Sequence, residues 1–328
     1  MKQLSIVIVT WNCKKYLQDC LDSIAGYRRD SAVEVIVVDN ASQDGTPEMV
    51  RDFYPEVTLV ATGANLGFPR GTNVGIQRSS GKYLSLINPD VRVLDGCIQK
   101  MMAYMDDNPR VGLLGPRMLS VDGTVGRSCM GSPTLWNLFC RALALDTLMP
   151  RSKLFGGFLM QYFDRDRVAE VDILNGWFWM TRAEAVQEVG LLDESLFMYA
   201  DDLDWSRRFR QAGWKVVYFP EAEAIHYGGG TTARAPVRFA VEMQRANFQY
   251  WKKNYGRASQ AIYLAIVALH QLMRLVGYSV LALYPAPNRE DARFKLRRSL
   301  ACLQWALAPR VHAGGAAVPA IQSESHSQ

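Results

Sequence analysis

Four short apolar runs recur within the first 95 residues, each separated from the next by a stretch of helical spacing. Residues 4–9 (L-S-I-V-I-V) and 33–38 (V-E-V-I-V-V) are nearly continuous in aliphatic, mostly β-branched side chains, the composition of strands covered on both faces. Residues 83–87 are long enough for a buried strand and too short for a typical helix, and residues 57–61 make a further strand. Between them, Leu17, Leu21 and Ile24 predict a helix over 13–26 with Gly26 as its stop. Thr46-Pro47 reads as the cap and first residue of a helix through Met49, Val50 and Phe53. Pro69 starts a further helix reaching Arg78. Strand-helix alternation of this kind implies right-handed crossovers and a parallel sheet. No G-x-G-x-x-G and no Walker lysine motif follows the first run, which argues against a dinucleotide fold or kinase-type phosphate loop.

The fourth run ends at Asn88-Pro89-Asp90. Pro89 cannot donate to a sheet ladder, so the strand stops there and leaves Asp90 at its carboxyl tip. Ligands of open α/β sheets bind at that edge, and a carboxylate there suits a hard divalent cation carrying substrate phosphates. The plainer alternative is an Asx-Pro turn with a solvated aspartate. Thr10-Trp11-Asn12 and Asp39-Asn40 end two other strands and would point toward the same crevice. Asp39 can accept a hydrogen bond from a pyrimidine N–H or simply cap a turn. Arg70, near a helix start after Gly67, can pair with phosphate or stand solvated on the surface.

Beyond residue 95 the alternation weakens. A helix over 97–105 and a strand over 111–118 precede a turn at Asp122-Gly123. Residues 130–168 lack a period and read as an insertion or mobile loop of the lid or binding kind. Residues 171–180, with Asn175-Gly176-Trp177, form a strand or loop wall, and a helix spans 182–189. The segment F-M-Y-A-D-D-L-D-W opens a helix from 197 to 212 that Gly213 stops. A strand over 214–219 and an extended piece over 224–227 then meet Gly228-Gly229-Gly230. Asp201 and Asp202 suit a helix start. With Asp204 they form a run of like charges, which raises a carboxylate's pKa, and a carboxylate of raised basicity beside a hydroxyl is the usual general base. His226 sits beside glycines that allow close approach of a ligand, and histidine is a common metal ligand.

The chain has 328 residues, 49% hydrophobic and 21% charged, ordinary for a chain able to bury a core. A net charge of +5 is too mild for a nucleic-acid-binding patch. Six cysteines without C-x-x-C spacing read as reduced thiols of a cytosolic protein. The apolar run at 4–9 lacks the length and cleavage site of a signal peptide, so the active part is expected in the cytoplasm. Near the C-terminus a helix over 235–255 is followed by residues 261–284, mostly apolar and long enough to span a bilayer. However, His270, Gln271, Arg274 and Tyr278 fall on one helical side, and a mid-helix arginine costs about 2.5–3.5 kcal/mol on the insertion scale. A basic stretch over 289–298 follows, with apolar positions at Phe294, Leu296 and Leu300. These segments fit amphipathic helices on an anionic membrane surface, or a helical hairpin packed on the catalytic domain or on a partner subunit. Residues 313–328 are small and polar, a composition that predicts disorder.

Taken in order, V-I-V-T-W-N, V-V-D-N-A-S-Q-D-G-T, N-L-G-F-P-R-G-T-N-V-G, L-I-N-P-D-V, F-M-Y-A-D-D-L-D-W and H-Y-G-G-G resemble the family-two inverting glycosyltransferases of GT-A fold. The likeness covers residues 4–230 and points to the bacterial rhamnosyltransferase-like branch that builds cell-surface polysaccharide. It implies a Rossmann-like, mostly parallel sheet flanked by helices, with a catalytic domain over 1–232. Within it, 1–95 would bind the nucleotide and 96–232 the acceptor. A helical, membrane-associated region would span 233–310 and a disordered tail 311–328.

The resemblance also assigns roles. Thr10, Asn12 and Asp39 would hold the nucleotide, with Asp39 reading the pyrimidine base. Asn65, Arg70, Asn88 and Asp90 would contact the nucleotide-sugar. Asp90 would be the metal-binding aspartate of a D-x-D-like element, His226 a further metal or diphosphate contact, and Mg²⁺ or Mn²⁺ the cofactor. Asp202 would be the base with Asp201 beside it, and Asn175, Gly176 and Trp177 would face the acceptor. The implied partners are a nucleotide-diphosphate sugar, with dTDP-rhamnose favoured, and a lipid-linked or polysaccharide acceptor, met at the inner face of the plasma membrane. Oligomers could form through the C-terminal helices. Three residues depart from the family pattern: Asn88 replaces the first aspartate of the D-x-D element, Pro69 a small residue, and Asp201 a glutamate. A sugar nucleotidyltransferase, the competing enzyme class, would want a glycine- and lysine-rich loop after Val9. A non-catalytic scaffold would be expected to lose Asp90 and the Asp201-Asp202 pair.

Overall fold

A computed structural model describes residues 2–228, 235–283 and 289–310. The four apolar runs form β1 (Lys2–Thr10), β2 (Val33–Asp39), β3 (Thr58–Ala61) and β4 (Gly81–Ile87). They lie side by side in the order β3-β2-β1-β4, all parallel. Helices α1 (Lys14–Ser23), α2 (Ala25–Arg28), α3 (Thr46–Phe53) and α4 (Phe68–Gln77) make the crossovers. Leu4, Ile6, Ile8 and Val37 are sealed from solvent, as are Leu17 and Leu21 of α1. Layers on both faces explain why these strands carry no polar alternation. The helix predicted over 13–26 divides at the buried Ile24, and Gly26 lies inside α2 rather than stopping α1.

The second half comprises β5 (Val91–Val93), α5 (Cys97–Asp107), β6 (Val111–Leu119), β7 (Cys129–Met130), α6 (Leu135–Ala142), α7 (Leu145–Leu148) and α8 (Lys153–Gly156). It continues through β8 (Ala169–Glu170), β9 (Ile173–Leu174), β10 (Phe178–Arg182), α9 (Ala183–Val189), α10 (Asp201–Gln211) and β11 (Lys215–His226). The sheet extends as β4-β10-β6-β11-β5. Strand β10 is antiparallel to both neighbours, and β6 and β11 are parallel, so a parallel half is joined to a mixed one. Two segments expected to be separate, 214–219 and 224–227, form the single strand β11, with an irregularity between Phe219 and Glu223.

The segment 130–168 is not the irregular loop expected. It folds into α6, α7 and α8, with Thr134 capping α6 through the Asn137 N–H at 3.0 Å and Ser152 capping α8. Cys140 and Ala142 bury themselves beneath it. Helices of four to eight residues are too short to display a 3.6-residue period.

At the C-terminus, α11 (Pro236–Leu283) breaks at Gly256, whose φ of 79° departs from helix, and α12 (Arg289–Leu307) folds back on it. Phe248, Trp251, Tyr263 and Trp305 join Ile173, Leu196 and Leu203 of the sheet half in one apolar cluster. Lys253 of α11 pairs with Asp193 at 2.6 Å and with Asp204 of α10 at 2.8 Å. The polar side of α11 turns inward, while Leu272, Met273, Val276, Val280 and Leu281 are each more than half exposed. This reverses the usual arrangement of a soluble amphipathic helix. By length and composition α11 could cross a membrane, although 17% of its most apolar window is buried against the protein. Gly229, Gly230, Tyr284, the boundary at 232 and the tail over 311–328 lie outside the described residues.

Candidate active site

At the carboxyl ends of β1 and β4 a cavity of about 560 Å³ opens. Thr10, Asn65, Asn88 and Asp90 line it from the parallel half. Asn175, Gly176 and Trp177 enter from the loop before β10, Asp201 and Asp202 from the start of α10, and His226 from the tip of β11. Ten of the thirteen residues singled out from the sequence therefore meet in one place.

Asp90 and His226 come together through the sheet. Strand β5 begins just after Asp90 and pairs with β11, which sets His226 opposite Val91. The Tyr227 N–H donates to the Asp90 carbonyl at 3.0 Å, and His226 Nε2 lies 3.2 Å from Asp90 Oδ1. Trp177 stacks on the imidazole with centroids 5.7 Å apart and planes 19° apart, which fixes the ring. Asn88, where the D-x-D element would have its first carboxylate, brings no charge. Among the described residues no cluster of three or more His, Cys, Asp or Glu side chains could hold a metal. Asp90 and His226 offer one oxygen and one nitrogen, a donor set that fits a cation whose remaining positions are filled by substrate oxygens and water.

The aspartate pair is held under backbone constraint. Tyr199 and Ala200 adopt positive φ values of 67° and 58°, a conformation costing non-glycine residues on the order of 1–3 kcal/mol each. The helix expected from 197 therefore begins only at Asp201. Gly67 clamps this loop to the parallel half: the Phe68 N–H donates to the Phe197 carbonyl at 2.8 Å, and a Cβ on Gly67 would come within 2.3 Å of that oxygen. Burial, and then the charge of Asp202, push the Asp201 carboxyl well above the usual carboxylate range. Burial also raises Asp202, opposed by the Leu203 N–H that donates to its Oδ1 at 2.8 Å. The third carboxylate, Asp204, is neutralised by Arg208 and Lys253, each at 2.8 Å, and holds the helices together.

Three predicted residues stand off this cavity. Asp39 and Thr10 are paired across β1 and β2. Asp39 Oδ2 accepts from the Ser42 N–H at 3.0 Å, while Asp39 Oδ1 and Thr10 Oγ1 are buried with no hydrogen-bond partner. Asn12 accepts from the Gln43 N–H at 2.7 Å. Arg70 Nε lies 3.5 Å from a Glu194 carboxylate oxygen without a hydrogen bond, and Arg70 is not among the residues lining the cavity. Sequence reasoning placed Asn40 at the crevice without a role, and its side-chain amide donates to the Gly67 carbonyl at 3.0 Å; it missed Arg127, which lines the cavity from the stretch before β7. It also missed Phe239 of α11. Neither Arg127 nor Phe239 carries a local motif that could have flagged it.

The family model for glycosyl transferase family 2 matches residues 5–166. An N-acetylglucosaminyl-diphospho-decaprenol L-rhamnosyltransferase of Mycobacterium tuberculosis is 32% identical over 256 residues, covering 75% of this chain and 82% of that protein. The low-salt glycan biosynthesis hexosyltransferase Agl10 of Haloferax volcanii is 22% identical, covering 69% and 67%. Among solved structures, the mannosyltransferase PcManGT from Pyrobaculum calidifontis, in complex with GDP-Man and Mn²⁺, aligns with a TM-score of 0.55 at 17% identity over 93% of this chain and 87% of its own. S. aureus TarS 1-349 in complex with UDP aligns at 0.51 and 16% over 94% and 92%. These structural likenesses establish the GT-A-type fold.

Proposed function

The chain belongs to glycosyltransferase family 2, in a rhamnosyltransferase-like branch, and we propose that it transfers rhamnose from dTDP-rhamnose, with inversion, to a lipid-linked diphosphate acceptor in cell-surface glycan synthesis. The observation that carries this reading is the position of Asp202. It lines the cavity holding Asp90 and His226 and also a second cavity beneath the C-terminal helices, so an acceptor arriving from one can meet a donor seated in the other. The M. tuberculosis relative supports the acceptor class and the sugar, since its name specifies a diphospho-decaprenol acceptor and L-rhamnose.

In this reading the unsatisfied Asp39 Oδ1 and Thr10 Oγ1 receive the nucleobase and its sugar, each gaining the partner it lacks. Asp90 and His226 would hold Mg²⁺ or Mn²⁺, which would neutralise the charge developing on the leaving nucleoside diphosphate. The Mn²⁺ in the PcManGT complex favours a divalent ion. Asp202 takes the proton from the acceptor hydroxyl as that oxygen attacks the anomeric carbon from the face opposite the leaving group. Asp201, the more deeply buried of the two, is assigned the proton that the pair retains, which leaves the ionised form to Asp202. Trp177, stacked on His226, walls the site on the acceptor side with Asn175 and Gly176.

Residues 1–232 are then the catalytic domain, with 1–95 as the nucleotide half and 96–232 as the acceptor half. The region over 233–310 is the membrane-associated one, and the outward apolar face of α11 rests on the inner leaflet of the plasma membrane. The test is a panel of nucleotide-sugars offered to the purified chain with Mn²⁺ and an N-acetylglucosaminyl-diphospho-prenol. dTDP-rhamnose should be consumed fastest, and the product linkage read by NMR should have the anomeric configuration opposite to that of the donor. A faster donor of another sugar, or retention, would overturn the assignment.

A further inference from the structure

The second cavity, of about 520 Å³, lies between α6, α10, α11 and α12. Its walls are apolar at Leu138, Leu159, Ile266 and Val267, and into it reach Arg127, Arg141, Arg274 and Arg298. Only one carboxylate, Asp202, is among its described lining residues. Arg141 has Asp146 at 3.8 Å, but among the described residues Arg127, Arg274 and Arg298 have no carboxylate within ion-pair distance, and Arg127 Nε is buried without a hydrogen-bond partner. The guanidiniums feel one another. Burial, then Arg141 and Arg165, lower the pKa of Arg127. Burial, then Arg274 and Arg141, lower His270 to about 4, which keeps it neutral. Uncompensated cations in a half-buried, apolar-walled space are costly, and a multiply charged anion would offset that cost through charge-assisted, forked hydrogen bonds. Two features specify the anion further. Arg127, Met130, Tyr199 and Asp202 line both cavities, so a ligand held here touches the base. Helix α11 also supplies both the cavity wall and the outward apolar face.

We infer that this cavity is the acceptor subsite for a polyprenyl diphosphate, its diphosphate held by Arg127, Arg141, Arg274 and Arg298 and the start of its prenyl chain lying against Leu138, Ile266 and Val267. The inference rests on the reading of the protein as a transferase to a lipid-linked acceptor and gives that acceptor its place. The diphosphate is then seated without a metal, in contrast to the donor's.

The same anionic chemistry could come from a phospholipid headgroup or from free pyrophosphate, so the test uses the full chain with farnesyl diphosphate, inorganic pyrophosphate, short-chain phosphatidylglycerol and farnesol, all with chelator present. Farnesyl diphosphate should raise Tm and bind at least about tenfold more tightly than pyrophosphate or phosphatidylglycerol, and farnesol should produce no shift. Loss of two charge-assisted contacts in Arg274→Gln/Arg298→Gln should weaken farnesyl diphosphate by more than about tenfold. Retained dTDP affinity with Mn²⁺ in that variant reports an intact fold. Equal farnesyl diphosphate affinity in wild type and variant, or pyrophosphate or phosphatidylglycerol binding as tightly as farnesyl diphosphate, would overturn the subsite. Because binding is read without transfer, a wrong donor sugar leaves this result standing. Transfer by the variant at an unchanged acceptor KM would sink the subsite alone.

Discussion

The two cavities that meet at Asp202 are built from opposite chemistry. The one at the sheet edge is mainly acidic, with Asp90, Asp201 and Asp202 facing His226 and the Arg127 that it shares with the other. The one under the helices is basic, with four arginines and that same Asp202. Both are proposed to seat a diphosphate. At the sheet edge Asp90 and His226 would hold a divalent cation, which would supply positive charge for the leaving diphosphate. Under the helices guanidiniums can hold a diphosphate that stays attached throughout. The contrast teaches that the charge of a pocket's wall indicates how a phosphate is held more readily than whether one is held.

The largest effect should fall where the cavities join. Asp202→Asn removes the proposed base and should lower turnover by about 10²–10⁴-fold while leaving dTDP affinity intact; transfer near the wild-type rate would break the link between the two sites. Next, Asp90→Ala should cost at least about 10–100-fold in Mn²⁺-dependent nucleotide affinity, the range seen when only the outer shell of a metal site is damaged. Calorimetry with and without chelator checks this, and the same chelator should leave farnesyl diphosphate binding unchanged. If chelation weakens both, the distinction between metal-held and arginine-held diphosphates collapses.

A smaller effect is expected in the pH profile. The base must be ionised, and burial raises the Asp202 carboxyl above the ordinary range. The acid limb of kcat/KM should therefore have its midpoint above about 4, the value of a free aspartate. A midpoint at or below that value would show a solvated carboxylate and a misassigned base. The smallest effect concerns stability. Asp201 binds its proton more tightly folded than unfolded, so its ionisation costs stability as pH rises through the folded value. Asp201→Asn should accordingly raise Tm by about 2 °C at pH 8 and leave it unchanged well below pH 4, where the wild-type side chain is protonated in both states. A calorimetric scan at the two pH values sees the difference.

The donor-side cavity was legible where its physics is local. Pro89 ends β4 because it has no N–H, so Asp90 was placed at a strand tip without knowledge of the fold. His226 was found through its strand-end position, but its partner Asp90 is reached only through β5–β11 pairing. Arg70 shows the limit of such reading. Its place near a helix start pointed to phosphate, yet Glu194, distant in sequence, lies beside it. The helices of 130–168 escaped detection because each is too short to show a period, and Arg127 because nothing beside it in sequence marks it.

By itself the sequence determined the parallel half of the sheet, the ends of its strands and the residue types gathered at them. Those follow from backbone rules that act over a few residues: β-branched runs, proline stops, capped turns. Only the tertiary structure decided that α11 turns Arg274 and His270 inward and Leu272 and Leu281 outward, that Asp204 is spent on Lys253 and Arg208, and that arginines from four stretches of chain line one cavity with Asp202. The reason is physical. Burial and charge at a point in space are sums over neighbours, and here those neighbours come from segments joined by no local rule.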